Sequence, residues 1–411
     1  MFASGIILSE DMGANLPIIE VDAEARRRLE AGHPWVRDSA VRRVSGGPPP
    51  GAMVRVLSGG RRMGEGLFSP ASRIRVRLVT GPAESPLEHE NALMAELGVR
   101  IRSAASMRER IGFTGAFRVV FGESDGVPGL VADLYNRTLV IQLLSAGMDA
   151  RRDALVEILR EVFSPETVVE RSDTGNRERE GLKPFRGILF GVLPTGGQVP
   201  FEAEGLLMQA DPLEGQKTGF YLDQRDNWAA LRPLGRGRRV LDACCYSGAF
   251  GLSLLLGGAE ALTAVDSSRR ALSVAEDAAG RNGLSGRARF IAGDAGAVMT
   301  EMAGRGEKFG LVVLDPPALA RTKAHRVLAS RAVRAMNASA ISVVEPGGLL
   351  FTCSCTPWIT ADDLAETVAV AGTRLGRRTS ILEVRGQSRD HPIHPLMPET
   401  RYLSGLLVHV S

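Results

Sequence analysis

The feature that most constrains the fold is a succession of short apolar runs, most of which stop at an acid or a cysteine. "RRVLDACC" (238–245), "ALTAVDS" (261–267), "ARFIAGD" (288–294), "FGLVVLDPP" (309–317) and "GGLLFTCSC" (347–355) follow one another, then "SILEVRG" (380–386) and "YLSGLLVHV" (402–410). Helical stretches, such as 267–283 and 325–345, separate the earlier runs. Strands alternating with helices predict a doubly wound α/β sheet, mostly parallel and closed by a C-terminal hairpin. Ligands of such a sheet bind outside the carboxyl ends of its strands. That makes Asp242 to Ser247, Asp266, Asp294, Asp315 to Pro317 and Ser354 to Thr356 the residues of interest.

Two blocks precede this one, giving expected boundaries of 16–80, 81–203 and 204–411. In the first, "AMVRVLSG", "GRRMGEGLFS" and "SRIRVRLV" alternate at period two between glycine and proline turns, as a small all-β module does. The second, with a long helical stretch at 86–110 and strands at 117–122, 130–135, 138–144, 167–172 and 188–192 around a helix at 148–163, predicts a central α+β domain. At 411 residues the chain is long enough for all three. With 44% hydrophobic and 24% charged residues it has the composition of a globular protein. No apolar run reaches the roughly 18 residues of a membrane span. The N-terminus lacks a secretory pattern, and four cysteines do not make a disulfide framework, so a reducing, cytoplasmic setting is expected.

The net charge of +3 hides a local imbalance. Eight arginines (42, 43, 55, 61, 62, 73, 75, 77) stand against the single acid Glu65 between Val41 and Thr80. Arginine forks suit phosphate, so nucleic acid is the expected partner. Alternation in "RIRVRLV" assigns Ile74, Val76 and Leu78 to the inner face and Arg73, Arg75 and Arg77 to an outer, basic one.

In the third block, the turn "DACCYSGAFG" keeps Gly248 and Gly251 of a fuller glycine-rich loop. A strand-to-helix turn of small residues is also common for packing, and each acid could be a helix N-cap. The three in register suit a nucleotide-like cofactor: Asp266 can accept from ribose hydroxyls and Asp294 can meet an adenine amino group. A dinucleotide and S-adenosylmethionine both fit that frame. "LVVLDPPALA" favours the second, because a strand ending Asp-Pro-Pro presents a carboxylate and carbonyls from a stiff turn. It resembles the fourth motif of class I methyltransferases that act on planar nitrogen-containing rings.

Nearly the whole chain resembles the RlmI-type family of 23S ribosomal RNA cytosine-5 methyltransferases. "GHPWV" and "FSPASRIRVRLV" match its PUA domain, a small RNA-binding β-barrel, and "FGESDGVPGLVAD" matches its central domain. "GQKTGFYLDQRDN" (215–227), "CYSGAFG", "AVDSS", "DPP", "SC" and "DHPI" follow in the family's order. The resemblance implies a Rossmann-like class I methyltransferase domain with a seven-stranded sheet, S-adenosylmethionine as cofactor, large-subunit ribosomal RNA as partner and, as one option, a homodimer. It departs where the family usually has lysine and phenylalanine after Asp-Pro-Pro: Ala318 and Leu319 stand there, so no phenylalanine stacks at that point. Residues 1–15 look like an additional tail.

For the cofactor the resemblance and the strand ends together nominate Asp242, Ala243, Cys244, Cys245, Tyr246, Ser247 and Gly248, with Asp266, Ser267, Asp294, Ala295, Asp315 and Pro316. From the preceding segment they add Lys217, Thr218, Phe220, Tyr221 and the run Asp223 to Arg225 (Asp223, Gln224, Arg225). Arg42, Arg43, Arg73, Arg75 and Arg77 are the expected RNA contacts.

C5 of cytosine is too weak a nucleophile to take a methyl group unaided; a thiolate adding to C6 makes it enamine-like, and an acid at N3 stabilises the adduct. Strand alternation alone does not choose between Cys353 and Cys355. A disulfide between them is strained and unsuited to the cytoplasm. Zinc held by Cys244, Cys245, Cys353 and Cys355 is disfavoured, since in the usual strand order the Asp-Pro-Pro strand keeps the pairs about 10 Å apart. The family's "SC" falls on Ser354-Cys355, so Cys355 is the expected nucleophile, Cys353 a packing residue and Asp315 the acid. Methylation of an exocyclic amine, guanine N2 or adenine N6, is the alternative and needs no thiol; a non-catalytic RNA-binding assembly factor is a third reading.

Overall fold

The computed structural model describes residues 16–318, 326–356 and 359–411. Leu319 and the tail at 1–15 lie outside the described residues. Contacts divide the chain into two units: residues up to Phe113 with Arg118–Leu193, and Thr114–Phe117 with Pro194–Ser411.

The first unit begins with a six-stranded sheet in the order Trp35–Arg37, Ile74–Thr80, Arg61–Phe68, Met53–Ser58, Ile18–Val21, Val41–Ser45. Its alternating apolar residues, among them Ile19, Val36, Val54, Val56, Met63 and Val76, form a core that is closed by Leu29 from the helix Ala23–Glu30. The rest of the unit is a five-stranded sheet in the order Phe185–Phe190, Thr167–Ser172, Thr138–Leu143, Leu130–Tyr135, Ala116–Phe121, with helices Glu90–Arg110 and Arg152–Phe163.

The expected basic face of Ile74–Thr80 needs a correction. From Val76 onward the strand is buried on both faces. Arg77 is 7% exposed and forks onto Glu180, with Nη2 to Oε1 at 2.8 Å and Nη1 to Oε2 at 3.2 Å, while its Nε lies 3.5 Å from Glu123 Oε1. Its guanidinium is therefore buried in an ion pair and does not stand on an outer basic face. The local surplus is neutralised in the same way elsewhere: Arg55 and Arg62 converge on the fully buried Glu65, and Arg61 meets Glu30. Arg42 and Arg43 stay largely exposed in looser pairs with Asp22 and Glu20. Among the described residues, Arg73 and Arg75 face no carboxylate; Arg75 donates to the Pro70 carbonyl.

The second unit opens with the hairpin Val199–Ala203 and Leu206–Ala210 and then forms a seven-stranded sheet. Its strands are β1 (Arg239–Ala243), β2 (Ala261–Asp266), β3 (Ala288–Ala292), β4 (Phe309–Leu314), β5 (Val344–Ser354), β6 (Thr379–Arg385) and β7 (Ser404–Val410). The order is β3-β2-β1-β4-β5-β7-β6. The first five strands are parallel, and β7 runs antiparallel between β5 and β6. Helices α1 (Ala249–Leu256), α2 (Arg269–Arg281), α3 (Ala295–Gly304), α4 (Arg326–Val343) and α5 (Ala361–Arg374) cover the sheet. The wholly buried run of β4 is what a central parallel strand covered on both faces requires. Strand order reverses between β1 and β4, so a crevice opens at the carboxyl ends of these two strands. Among the described residues, no helix is long and apolar enough to cross a membrane.

Candidate active site

The turn after β1 builds one wall of that crevice. Cys244 and Tyr246 adopt φ of +64° and +47°, a left-handed conformation that costs non-glycine residues of order 1 kcal/mol or more. The strain is held by Asp266 at the end of β2. Its Oδ2 accepts from Tyr246 N and its Oδ1 from Ser268 N, both at 2.8 Å. A carboxylate has further lone pairs, so a ribose hydroxyl can still be accepted. Gly248 is required: its φ is +80°, and a Cβ there would stand 3.0 Å from that of Ala275.

Asp242 is fully buried beneath the turn, and its Oδ2 accepts from Gly251 N at 2.8 Å, tying α1 to β1. Among the described residues its Oδ1 has no partner. Burial, then the charges of Asp315 and Asp266, push this carboxyl up to about 7 against the opposing Gly251 hydrogen bond. Asp294 is exposed and caps α3, accepting from Ala297 N at 2.8 Å. Ser267 is exposed beside Asp266, while Ala243 and Ala295 are buried. Tyr246 and Ser247 also line a cavity of about 100 Å³ with Gln216, Ser268 and Arg270.

The segment before the sheet divides into contacts and supports. Lys217, at φ +54°, pairs with Asp223 and lies 4.6 Å from the centre of the Tyr221 ring. Tyr402 donates to the same Asp223 oxygen at 2.8 Å. Asp223 titrates well below the usual range: burial opposes its ionisation, and Lys217, His391 and Tyr402 more than offset that. Tyr221 meets Tyr246 edge-on at 5.0 Å. Of the other nominated residues, Thr218, Phe220 and Arg225 are buried, and Phe220 and Arg225 hold contacts outside this cluster. Thr218 is fully buried. Phe220 packs against Phe201 and Trp228. Arg225 clamps Glu204 at 2.8 Å and the carbonyls of Thr114 and Ala116.

Asp315 ends β4, with its amide on the Ala243 carbonyl at 3.3 Å and its Oδ2 accepting from Gln224 Nε2 at 3.0 Å. Burial and the charge of Asp223 push it up to about 7, against Lys217 and Gln224. It is therefore partly protonated at neutral pH and able to donate.

The two cysteines of "TCSC" part company. Cys353 lies inside β5 and is 0% exposed. Cys355 follows the last strand residue, is half-buried, and has its Sγ 3.9 Å from the Pro316 carbonyl. Burial and the Asp315 charge push its thiol up to about 11, with Lys217 opposing. β4 separates β5 from β1, where Cys244 and Cys245 lie. Sequence reasoning reached Gln224 only within the run Asp223 to Arg225 and missed its role. It also missed Tyr402, whose distance of 179 residues from Asp223 leaves no local signal.

A PUA-like domain model matches residues 19–81, and an S-adenosylmethionine-dependent methyltransferase model matches residues 200–380. A protein of Aeromonas hydrophila named ribosomal RNA large subunit methyltransferase I is 38% identical over 92% of this chain and 95% of its own length. One of Tolumonas auensis with the same name is 36% identical over 95% of this chain and 98% of its own. The chain belongs to the ribosomal RNA large subunit methyltransferase I family. Members of this family are about as long as this chain, so the resemblance extends from the PUA-like domain through the methyltransferase sheet. Solved methyltransferases share the fold: one in complex with SAH superposes with a TM-score of 0.80 at 17% identity, covering 95% of this chain and 99% of its own. Another, from Streptococcus mutans, gives 0.77 at the same identity.

The chain is thus a methyltransferase that depends on S-adenosylmethionine, and the residues present fit that group. Asp242, Asp266 and Asp315 stand close enough at the turn to feel one another's charge, a setting that a sulfonium cation would relieve, and among the described residues the buried Asp242 Oδ1 is left without a partner.

Proposed function

We propose that this chain methylates C5 of a cytosine in large-subunit ribosomal RNA, 23S in bacteria, through a covalent bond between Cys355 and C6. The observation that carries the reading is the placement of Cys355: a half-buried thiol at the mouth of the crevice, beside the Pro316 carbonyl and close enough to Asp315 to feel its charge. Asp266 and Asp294 would hold the nucleoside part of S-adenosylmethionine, and the turn 243–248 would lie beneath it. When bound, that cofactor supplies an electrophilic methyl group and a positive charge beside the thiol.

The chain's own steps balance as follows. Cys355 loses its proton, and Sγ bonds to C6 of the ring. The C5–C6 π electrons move to C5, which gains the methyl group, while Asp315 donates its proton toward N3. The C5 proton then leaves to a base, the C5–C6 double bond re-forms and Sγ departs. Lys217 is the cation that favours the thiolate. A base held this way must lie outside any stack. Exocyclic-amine methylation would leave Cys355 without a task, so its placement favours C5.

Arg42, Arg43, Arg73 and Arg75 of the PUA-like domain are assigned to RNA phosphates, with specificity coming from RNA shape and unpaired bases. The three expected blocks, 16–80, 81–203 and 204–411, then serve RNA binding, connection and catalysis. Four free cysteines accord with a cytoplasmic setting. Mapping 5-methylcytosine in ribosomal RNA from cells with and without this protein tests the reading. One modified cytosine should disappear from the large subunit; an unchanged map, or loss of a methylated purine instead, would sink it.

A further inference from the structure

Asp315 is held by a neutral amide, and the sense of that amide is set from behind. Gln224 Nε2 donates to Asp315 Oδ2 at 3.0 Å. Asn227 Nδ2 donates to Gln224 Oε1 at 2.6 Å and to the Gly386 carbonyl at 3.0 Å. Arg385 Nε, at the end of β6, donates to Asn227 Oδ1 at 2.8 Å. A guanidinium carries only donors. Asn227 must therefore turn its oxygen to Arg385 and its nitrogen to Gln224. For the same reason Gln224 must turn its nitrogen to Asp315. Gln224 and Asn227 are 6% and 1% exposed.

We propose that Arg385, Asn227 and Gln224 form a one-way hydrogen-bond relay that keeps an N–H on Asp315 Oδ2 and so confines the acidic proton of Asp315 to Oδ1, the oxygen left for the target base. This rests on the role given to Asp315 above. A proton on Oδ1 matches cytosine, whose N3 accepts, and opposes uracil, whose N3 carries a hydrogen. The three residues position Asp315 and do not touch substrate. Among the described residues, the other groups facing Asp315 are Asp223, Lys217 and Tyr221 from the 217–224 segment, Asp242 and Cys244 from the end of β1, and Cys353 and Cys355 from the end of β5.

The test uses the full chain with Gln224→Met, Asn227→Asp and the double variant. Asparagine and aspartate have nearly the same shape, but the carboxylate cannot donate to Gln224, which frees that amide to flip. The productive state holds one proton on the Asp315–Cys355 pair, so log kcat rises with pH until the pair sheds its first proton. Losing a donor favours the protonated carboxyl and moves that inflection upward by about one pH unit. Each single variant should lower kcat about tenfold with KM for both substrates within about twofold, and the double variant should be no worse than Gln224→Met. Arg385→Gln, which has no fixed donor sense, provides a second route if Asn227→Asp does not fold. Losses that multiply in the double variant, or an inflection that stays at the wild-type pH, would overturn the relay. Cys355→Ala, run in parallel, tests the covalent reading separately: activity in that variant sinks the adduct, whereas an unmoved inflection with an inert Cys355→Ala sinks the relay alone.

Discussion

The sheet of the PUA-like domain and the strand ends of the methyltransferase domain treat charge in opposite ways. Around Glu65 every charge is matched: Arg55, Arg62, the Thr80 hydroxyl and the Leu87 amide all point at one carboxylate. Its pKa falls, because these partners outweigh the cost of burial. Around Asp315 the matching is incomplete. Asp242 and Asp315 rise to about 7, Cys355 to about 11, and among the described residues one oxygen each of Asp242 and Asp223 is buried without a partner. A satisfied cluster needs nothing more to be stable. An unsatisfied one in a crevice marks where a ligand is to come.

The largest expected effect breaks the second region. Cys355→Ala should lower methylation at least about a thousandfold while leaving cofactor binding by calorimetry intact. Cys353→Ala, which removes a packed thiol, should retain most activity. Breaking the first region should harm folding instead: Glu65→Ala leaves two arginines facing a buried void and should cost about 3–5 kcal/mol of stability in denaturant titration. If Glu65→Ala changed methylation and left stability alone, the contrast between the two regions would fail.

A smaller effect lies in pH. The folded pKa of Asp242, about 7, exceeds its unfolded value of about 3.9. The folded state therefore holds a proton that the unfolded chain releases, and this group's contribution is fully present below about pH 4 and lost as pH rises through 7. Asp242→Asn should flatten the stability profile between pH 4 and 8, by up to about 4 kcal/mol over that range in chemical denaturation. An unchanged slope would show that Asp242 is already ionised. The smallest effect concerns RNA. Arg73→Glu with Arg75→Glu should weaken RNA binding and reduce the slope of log K against log salt by about 1–2. Arg77→Gln should affect stability more than binding, because its fork is closed on Glu180.

The contrast also explains what the sequence disclosed. The strand–helix alternation and the acids at strand ends predict a mostly parallel sheet with ligands at its carboxyl ends, because burial on both faces writes a continuous apolar signal and the turn needs glycine at 248. The basic module was legible as charge but not as surface. The acids that neutralise Arg77 and Arg61, namely Glu180 and Glu30, lie outside the 41–80 window in which the surplus was counted. Phe220 and Arg225 share a motif with Lys217 and Asp223, yet Phe220 packs against Phe201 and Trp228 and Arg225 pairs with Glu204. A motif records what a segment needs to fold as well as what it does. Tyr402 and Arg385 could be found only once the chain was folded, since Asp223 and Asn227 come to them from distant segments; Asn227 has Gln224 three residues away but meets Arg385 only in the fold.

The central claim is that Cys355 bonds to C6 of a cytosine. The most direct measurement uses ribosomal RNA carrying 5-fluorocytidine, incubated with S-adenosylmethionine and the wild-type, Cys353→Ala and Cys355→Ala proteins, and resolved under denaturing conditions. Fluorine at C5 cannot leave as a proton does, so the adduct should persist. A protein–RNA band with wild type and Cys353→Ala, and none with Cys355→Ala, is the expected result. A band that survives Cys355→Ala, or no band from a wild-type protein that methylates ordinary RNA, would contradict it.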